Sequence, residues 1–416
     1  CFFAKIIYFL TGSVQITFSI IGGIATFLII YYSNLIYELI TKKRSSYLSV
    51  LIFLNPLIWN LGNRYMSDLF GLSLLVTTTY FFFLGIHSKN RKQLIIAIFL
   101  VGILSGVRIS FLPFFIPFFL FVFFQSQLNF IKSSAIILAG VMVWMIPLIF
   151  FTGFENLYQI SKNHISGHFF KWGGSVITSD FSLLDRLLKV IESIWADGMG
   201  GFWKGRSPLT IVLSIGWISS IYSFLKTKNT ANDKIKILTN LLIASVLVYF
   251  GWIFLFQNVV YKPRHIIPFL PFILMLSSVG LVSMIRQYRL YKMLIYLFIF
   301  CLSVVTSYLN WQHKSPSAIC QVKDYVFNDA SAMKIFCSSN LVNSYLKKHK
   351  GSENIVFLNE NNSSEIKRYY KLGYNIYSTT NLKNLRMTIK FQNNFYHNPY
   401  VNRLWSTMLI YKYNKH

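Results

Sequence analysis

Acidic residues are scarce in this chain. Its 416 residues hold 13 Asp and Glu against 40 Lys and Arg, and charged residues make up only 13% of the whole, where a soluble domain carries roughly 25%. That deficit excludes an ordinary water-soluble globular protein. Cysteine is also rare. Cys1, Cys301, Cys320 and Cys337 form no CxxC pair, which excludes the common zinc and dithiol motifs. Cys320 and Cys337 lie in the polar tail, where a disulfide between them and two separate thiols are both open readings. No Gly-rich phosphate loop precedes a helix, so nucleotide binding is not expected. Internal repeats are absent too, and with them the usual sign of a transporter built from two inverted halves.

Apolar and aromatic residues are abundant instead: 54% hydrophobic, 18% aromatic, and 40 Phe alone. A spanning helix needs roughly 20 apolar residues. Runs of that kind predict about ten spans, over 12–40, 46–60, 68–86, 93–109, 110–124, 134–151, 207–225, 237–256, 265–285 and 292–309. Gly102, Gly106, Arg108, Pro113 and Pro117 interrupt the long run 93–124, which predicts two helices joined by a tight turn. The net charge of +27 would suggest a nucleic-acid partner in a soluble protein. Here the cations cluster between apolar runs: Lys42–Arg44, Lys89–Lys92, Lys226–Lys236 and Arg286–Lys292. Such loops belong in the cytoplasm. The alternate short loops, 61–67 and 257–264, hold only Arg64, Lys262 and Arg264. This pattern predicts contact with membrane lipids and none with nucleic acid.

The same orientation puts the polar segment 152–205 and the tail 310–416 outside the cytoplasm. It also puts residue 1 outside, which calls for a preceding span or signal. The first residue is Cys, so the sequence reads as one that lacks its natural start, with a lipidated N-terminal Cys as the competing reading. The expected organisation is a transmembrane unit over 1–309 and a soluble unit over 310–416. In the tail, Lys334–Ser338, Asn354–Leu358 and Tyr374–Ser378 read as strands, alternating with helices over 339–349 and 363–372. The fold class is therefore an all-α polytopic bundle with a small C-terminal α/β domain.

Polar residues at the predicted outer ends carry the candidate chemistry. Asp68 opens a span, where a carboxylate either works, finds a partner, or caps the helix. Arg108 lies beside the expected turn and suits either an interhelical contact or an anion. Lys262-Pro-Arg-His265 precedes Ile-Ile-Pro-Phe-Leu-Pro271, placing Lys262, Arg264 and His265 at a helix start. Guanidinium groups and helix N-termini both suit phosphate, and interfacial anchoring is the plainer use. In the loop, His164 and His168 stand four residues apart, which allows a divalent metal ion but supplies only two ligands. Trp172-Gly-Gly and Gly200-Gly-Phe-Trp203 offer aromatic surfaces that suit either a sugar or the lipid interface, and Asp197 lies nearby.

Together these motifs resemble the GT-C membrane glycosyltransferases, in particular the bacterial lipid A aminoarabinose transferases and protein O-mannosyltransferases. Arg64-Tyr-Met-Ser-Asp68 is similar to that family's second outer acidic position. Ser105-Gly-Val-Arg-Ile-Ser-Phe-Leu-Pro113 and Lys262-Pro-Arg-His-Ile-Ile-Pro-Phe-Leu-Pro271 are similar to its Gly- and Pro-bearing helix starts, with His265 in place of a Tyr. The resemblance implies a sugar donor on polyprenyl phosphate and a lipid, glycan or protein acceptor. It implies Asp68 as an auxiliary catalytic acid, the principal acid belonging to a first outer loop not seen here. Substrate contacts would come from Arg64, Arg108, Lys262, Arg264, His265, His168 and Trp172. No cofactor is required by the motifs, and a divalent metal is the one that remains open. The rival readings are a transporter or lipid flippase, a glycan polymerase or ligase, and a non-catalytic assembly subunit.

Overall fold

A computed structural model of the protein describes residues 2–62, 67–125, 128–167, 175–178, 181–226, 233–287, 289–312, 315–330, 334–382, 388–396 and 407–414. Arg64, His168 and Trp172 lie outside these described residues. The chain divides into two compact units, Cys1–Asn310 and Trp311–His416.

The first unit is helical throughout. Its elements are α1 (Phe2–Thr11), α2 (Val14–Thr41), α3 (Ser46–Phe53), α4 (Pro56–Gly62), α5 (Asp68–Ser88), α6 (Arg91–Arg108), α7 (Ile116–Phe124) and α8 (Phe130–Thr152). There follow α9 (Phe154–Ser166), α10 (Leu183–Glu192), α11 (Leu209–Lys226), α12 (Asp233–Phe256), α13 (Leu270–Gln287) and α14 (Arg289–Gln312). Local signals set the boundaries. Side chains of Ser13, Ser45, Asn90 and Asn129 accept from backbone N–H groups of the first turns of α2, α3, α6 and α8. Such caps satisfy donors that a helix start leaves orphaned.

Among the described residues, eight helical stretches rather than ten are long and apolar enough to cross a membrane. Two local features account for the difference. The run 46–60 breaks at Leu54–Pro56, because Pro56 has no N–H to extend α3. Asn55 restarts the chain, its Oδ1 accepting from the N–H groups of Leu57 and Ile58 at 3.1 Å each. The run 91–124 is one continuous helical stretch, but a 3-10 turn over Ile109–Phe115 folds it back. Leu94 packs on Gly85 and Arg108 on Gly71, so α6 runs antiparallel to α5. Beyond the turn, Phe118 returns to stack on Phe82 at 5.1 Å between ring centres. α5 and α13 are the most enclosed spans, and α8 is the most exposed.

The second unit holds α15 (Ala318–Phe327), α16 (Asn340–Leu346) and α17 (Ser363–Lys371) around a five-stranded sheet. Its strands are β1 (Lys334–Ser338), β2 (Ile355–Asn359), β3 (Asn375–Ser378), β4 (Ile389–Tyr396) and β5 (Thr407–Tyr413), in the order β2-β1-β3-β5-β4. β1 is parallel to β2 and β3, whereas β5 runs antiparallel to β3 and β4. The antiparallel pair and α15 are additions to the three strands and two helices read from sequence. Successive residues of β1 point to opposite faces. Phe336 joins Val322, Val342 and Tyr377 on one side, and Cys337 joins Ile366, Ile376 and Tyr413 on the other. Cys320 packs on the first face. The sheet thus separates the two cysteines, both of which are free, and the disulfide reading is corrected. Burial and the nearby Glu360 push the Cys337 thiol up to about 12.

Candidate functional site

Three segments far apart in sequence meet at one end of the helical unit. Asp68 occupies the first turn of α5, and Ser67 before it makes no side-chain capping bond. Asp68 is only 2% exposed, and its carboxylate receives the Arg108 guanidinium in an ion pair. Arg264 Nε lies 3.9 Å from the same carboxylate oxygen. A carboxylate with this little access to water needs such partners.

The backbone explains how they meet. A Cβ on Gly71 would lie 2.9 Å from Arg108 Cβ and 3.3 Å from Phe111. Glycine there lets the end of α6 approach α5 closely enough for Arg108 to reach Asp68. Arg108 also stands 5.7 Å over the Phe111 ring, a favourable cation–aromatic arrangement. Arg264 rides on a second 3-10 turn, Pro263–Phe269, which leads into α13. Below it, Tyr249 donates from its hydroxyl to the His265 carbonyl at 3.0 Å. Phe111, Phe114, Phe269 and Phe272 form an aromatic floor around Tyr249.

The two arginines, at about a fifth exposed, overlie the one enclosed carboxylate among the described residues there, and Lys262 adds a third cation. Its low-dielectric surroundings, then Arg264 and Arg108, push the Lys262 ammonium below its ordinary pKa, against a weaker upward pull from Asp68. Among the described residues three cations gather around one carboxylate, an arrangement suited to an anion that accepts two parallel hydrogen bonds from guanidinium. Of the residues expected from sequence, Asp68, Arg108, Lys262 and Arg264 thus come together. His265 adjoins them in the chain but is 6% exposed and faces the core.

A second buried ion pair, Asp197 with Arg206, lies in the segment between α8 and α11. It closes off a π-helical turn over Ser193–Gly198, an element often found at functional sites. Asn55 donates to the Gly198 carbonyl and Trp217 to that of Met199, each at 2.8 Å. A Cβ on Gly198 would lie 2.7 Å from Leu270 and 2.9 Å from Ile266. The π turn therefore packs directly on the 3-10 turn that carries Arg264. Arg186, fully buried, donates to the carbonyls of Ile253, Phe254 and Gln257 at the end of α12, where a cation suits the helix dipole. Arg186 and Arg206 were not singled out in the sequence. The available signal was an arginine placed among leucines on an amphipathic stretch. His164 lies on α9. Among the described residues, no three His, Cys, Asp or Glu side chains gather as a metal-ligand group.

No family model matches the chain, and no curated protein matches it. Among solved structures, it is similar to ArnT from Cupriavidus metallidurans, whose crystal structure is bound to undecaprenyl phosphate, with a TM-score of 0.51 and 9% identity. The match covers 99% of this chain and 86% of that one. At that identity the likeness concerns architecture: this integral membrane protein has an ArnT-like fold.

Proposed function

We propose that the protein is a membrane glycosyltransferase that takes a sugar from a polyprenyl-phosphate carrier at the Asp68 end of the bundle. The observation that carries this reading is the gathering of Arg108, Arg264 and Lys262 around Asp68 at that end. The shared fold with a protein crystallised with undecaprenyl phosphate supports it. In the transfer, the bond from the sugar's anomeric carbon to the phosphate oxygen breaks, and the lipid phosphate departs with the electron pair. An acceptor hydroxyl forms the new bond, and its proton passes to water. Arg264 and Lys262 offset the charge that develops on the leaving phosphate, a preorganised electrostatic role.

Asp68 acts as an auxiliary acid that positions rather than reacts. Its carboxylate is already engaged by Arg108 and holds Arg264 in reach. The acceptor is a lipid, glycan or protein bearing a hydroxyl, and the site faces away from the cytoplasm, as the basic loops at the other end of the spans suggest. Any divalent metal would need ligands beyond the gathered residues.

Transfer of a labelled sugar from a polyprenyl-phosphate donor, followed in nanodiscs for wild type, Arg264→Ala and Asp68→Asn, tests this. Transfer by the wild type with loss in Arg264→Ala is the expected result. Tight binding of undecaprenyl phosphate without transfer from any donor in a panel moves the reading to a lipid carrier.

A further inference from the structure

The helix α10 is built the wrong way round for water. Arg186, Val190 and Ser193, spaced i, i+4, i+7, form the stripe that faces the protein and is buried. Leu184, Leu188 and Ile191 form the opposite stripe at the same spacing, and they are 66%, 45% and 42% exposed. Asp185, Lys189 and Glu192 form a third stripe between the two. One arc meets protein, one is charged, and one is apolar with no described residue covering it.

The depth of α10 is fixed independently. Arg186 bonds to the carbonyls of Ile253, Phe254 and Gln257, and these end the span Ile235–Phe256. The uncovered leucines therefore stand at the level where a span leaves the hydrocarbon.

α9 repeats the pattern. No residue of α9 is buried in the protein. Phe154, Tyr158 and Ile165 lie on one arc, 69%, 54% and 57% exposed. Glu155, Gln159 and Lys162 lie on the other. α9 also continues from α8, whose last turns expose Phe150 at 83% and Phe151 at 74%. Gly153, with φ of +80°, turns the chain between the two helices, so the apolar arc of α9 begins beside an exposed apolar surface at the end of a span.

We propose that α9 and α10 are in-plane helices docked on the phospholipid leaflet on the Asp68 side of the membrane. Their apolar arcs enter the acyl boundary and their charged arcs face the headgroups and water. This is the arrangement expected of helices with one strongly apolar and one charged face. Because α10 runs directly into the π turn that packs on the Arg264 turn, the leaflet also sets the level of the cationic mouth. The inference does not depend on the transferase reading.

Spin labels test it in the full chain, reconstituted in nanodiscs of phosphatidylethanolamine and phosphatidylglycerol. The background carries Cys1→Ser and Cys320→Ser; Cys301 and Cys337 are buried, and the unlabelled background confirms their silence. Single cysteines replace Leu188, Ile191 and Tyr158 on the apolar arcs, and Lys189 and Gln159 on the charged arcs. Collision rates are read with oxygen and with a water-soluble nickel chelate. The expected result is a several-fold higher oxygen-to-nickel ratio at 188, 191 and 158 than at 189 and 159. Equal ratios on the two arcs overturn the proposal, because the leucines would then face water. Protection of 188 and 191 from both reagents overturns it as well, because protein would then cover them.

Discussion

Two buried carboxylates in the helical unit, Asp68 and Asp197, each hold an arginine, yet they do different work. Asp197 meets Arg206 nine residues away in the same segment, and the pair closes a turn already tied by Asn55 and Trp217. Asp68 meets Arg108 from forty residues away and has Arg264 within 3.9 Å, with Lys262 beside them. The Asp197 pair joins two residues of one segment, and its consequence is a fixed turn. At Asp68 the described cations Arg108, Arg264 and Lys262 converge from separate segments. The sequence distance between the partners therefore separates a local lock from an assembled site where burial alone does not.

The largest expected effect falls on the lock. Asp197→Asn keeps the size but removes the charge of a carboxylate that is 0% exposed and paired with Arg206. Breaking one side of a buried pair costs about 3–5 kcal/mol. Unfolding in mixed detergent and denaturant is expected to shift accordingly, with little dependence on salt. A loss below about 1 kcal/mol, the range of exposed pairs, would erase the distinction drawn above.

Arg264→Ala is expected to act in the opposite sense, on binding more than on stability. A hydrogen bond to a charged group contributes about 1.5–3 kcal/mol, so the affinity for undecaprenyl phosphate should drop by roughly ten- to a hundredfold. Titration in nanodiscs measures this. Arg206→Ala is the control, and equal losses in the two variants would mean that the mouth is not special.

A smaller effect sharpens the link between the aromatic floor and the mouth. Tyr249→Phe removes the hydroxyl that donates to the His265 carbonyl and leaves a buried acceptor unmet. The expected cost is about 1–3 kcal/mol of stability, with phosphate affinity reduced only modestly. A thermal shift assay with and without undecaprenyl phosphate separates the two.

Much of this was legible in the sequence. The scarcity of acids, the basic loops and the apolar runs predicted the helical unit, and Asp68, Arg108, Lys262 and Arg264 were read as outer polar residues before any was placed near another. What the sequence could not show is that Gly71 lets Arg108 cross to Asp68, because close approach depends on the partner helix. His265 reads in the sequence as one of three adjacent cations, and its burial on the 3-10 turn, at 6% exposed, depends on packing that the sequence does not display. The break at Asn55–Pro56 hid inside an apolar run, since hydropathy counts residues and not hydrogen bonds. β4 is exposed along most of its length, so its alternation in the sequence is faint, and β5 joins the sheet through long-range antiparallel pairing with β3 and β4.

The finest prediction concerns Lys262 alone. Its surroundings and the two guanidiniums hold the ammonium below its ordinary pKa, so it loses its charge at a lower pH than a free lysine. A bound phosphate favours the charged form, so the complex titrates higher than the free protein. Affinity is therefore full below the first of these values and declines as pH rises to the second. The lipid phosphate is not the source of that decline, because a phosphate monoester, with a second pKa of about 6, is already fully charged there. Lys262→Arg should flatten the alkaline limb while leaving neutral binding close to wild type, since guanidinium stays charged throughout. A series of undecaprenyl-phosphate titrations at rising pH reads this directly. If Lys262→Arg keeps the same alkaline decline, the titrating group lies elsewhere, and the positive charge at the mouth rests on Arg108 and Arg264 alone.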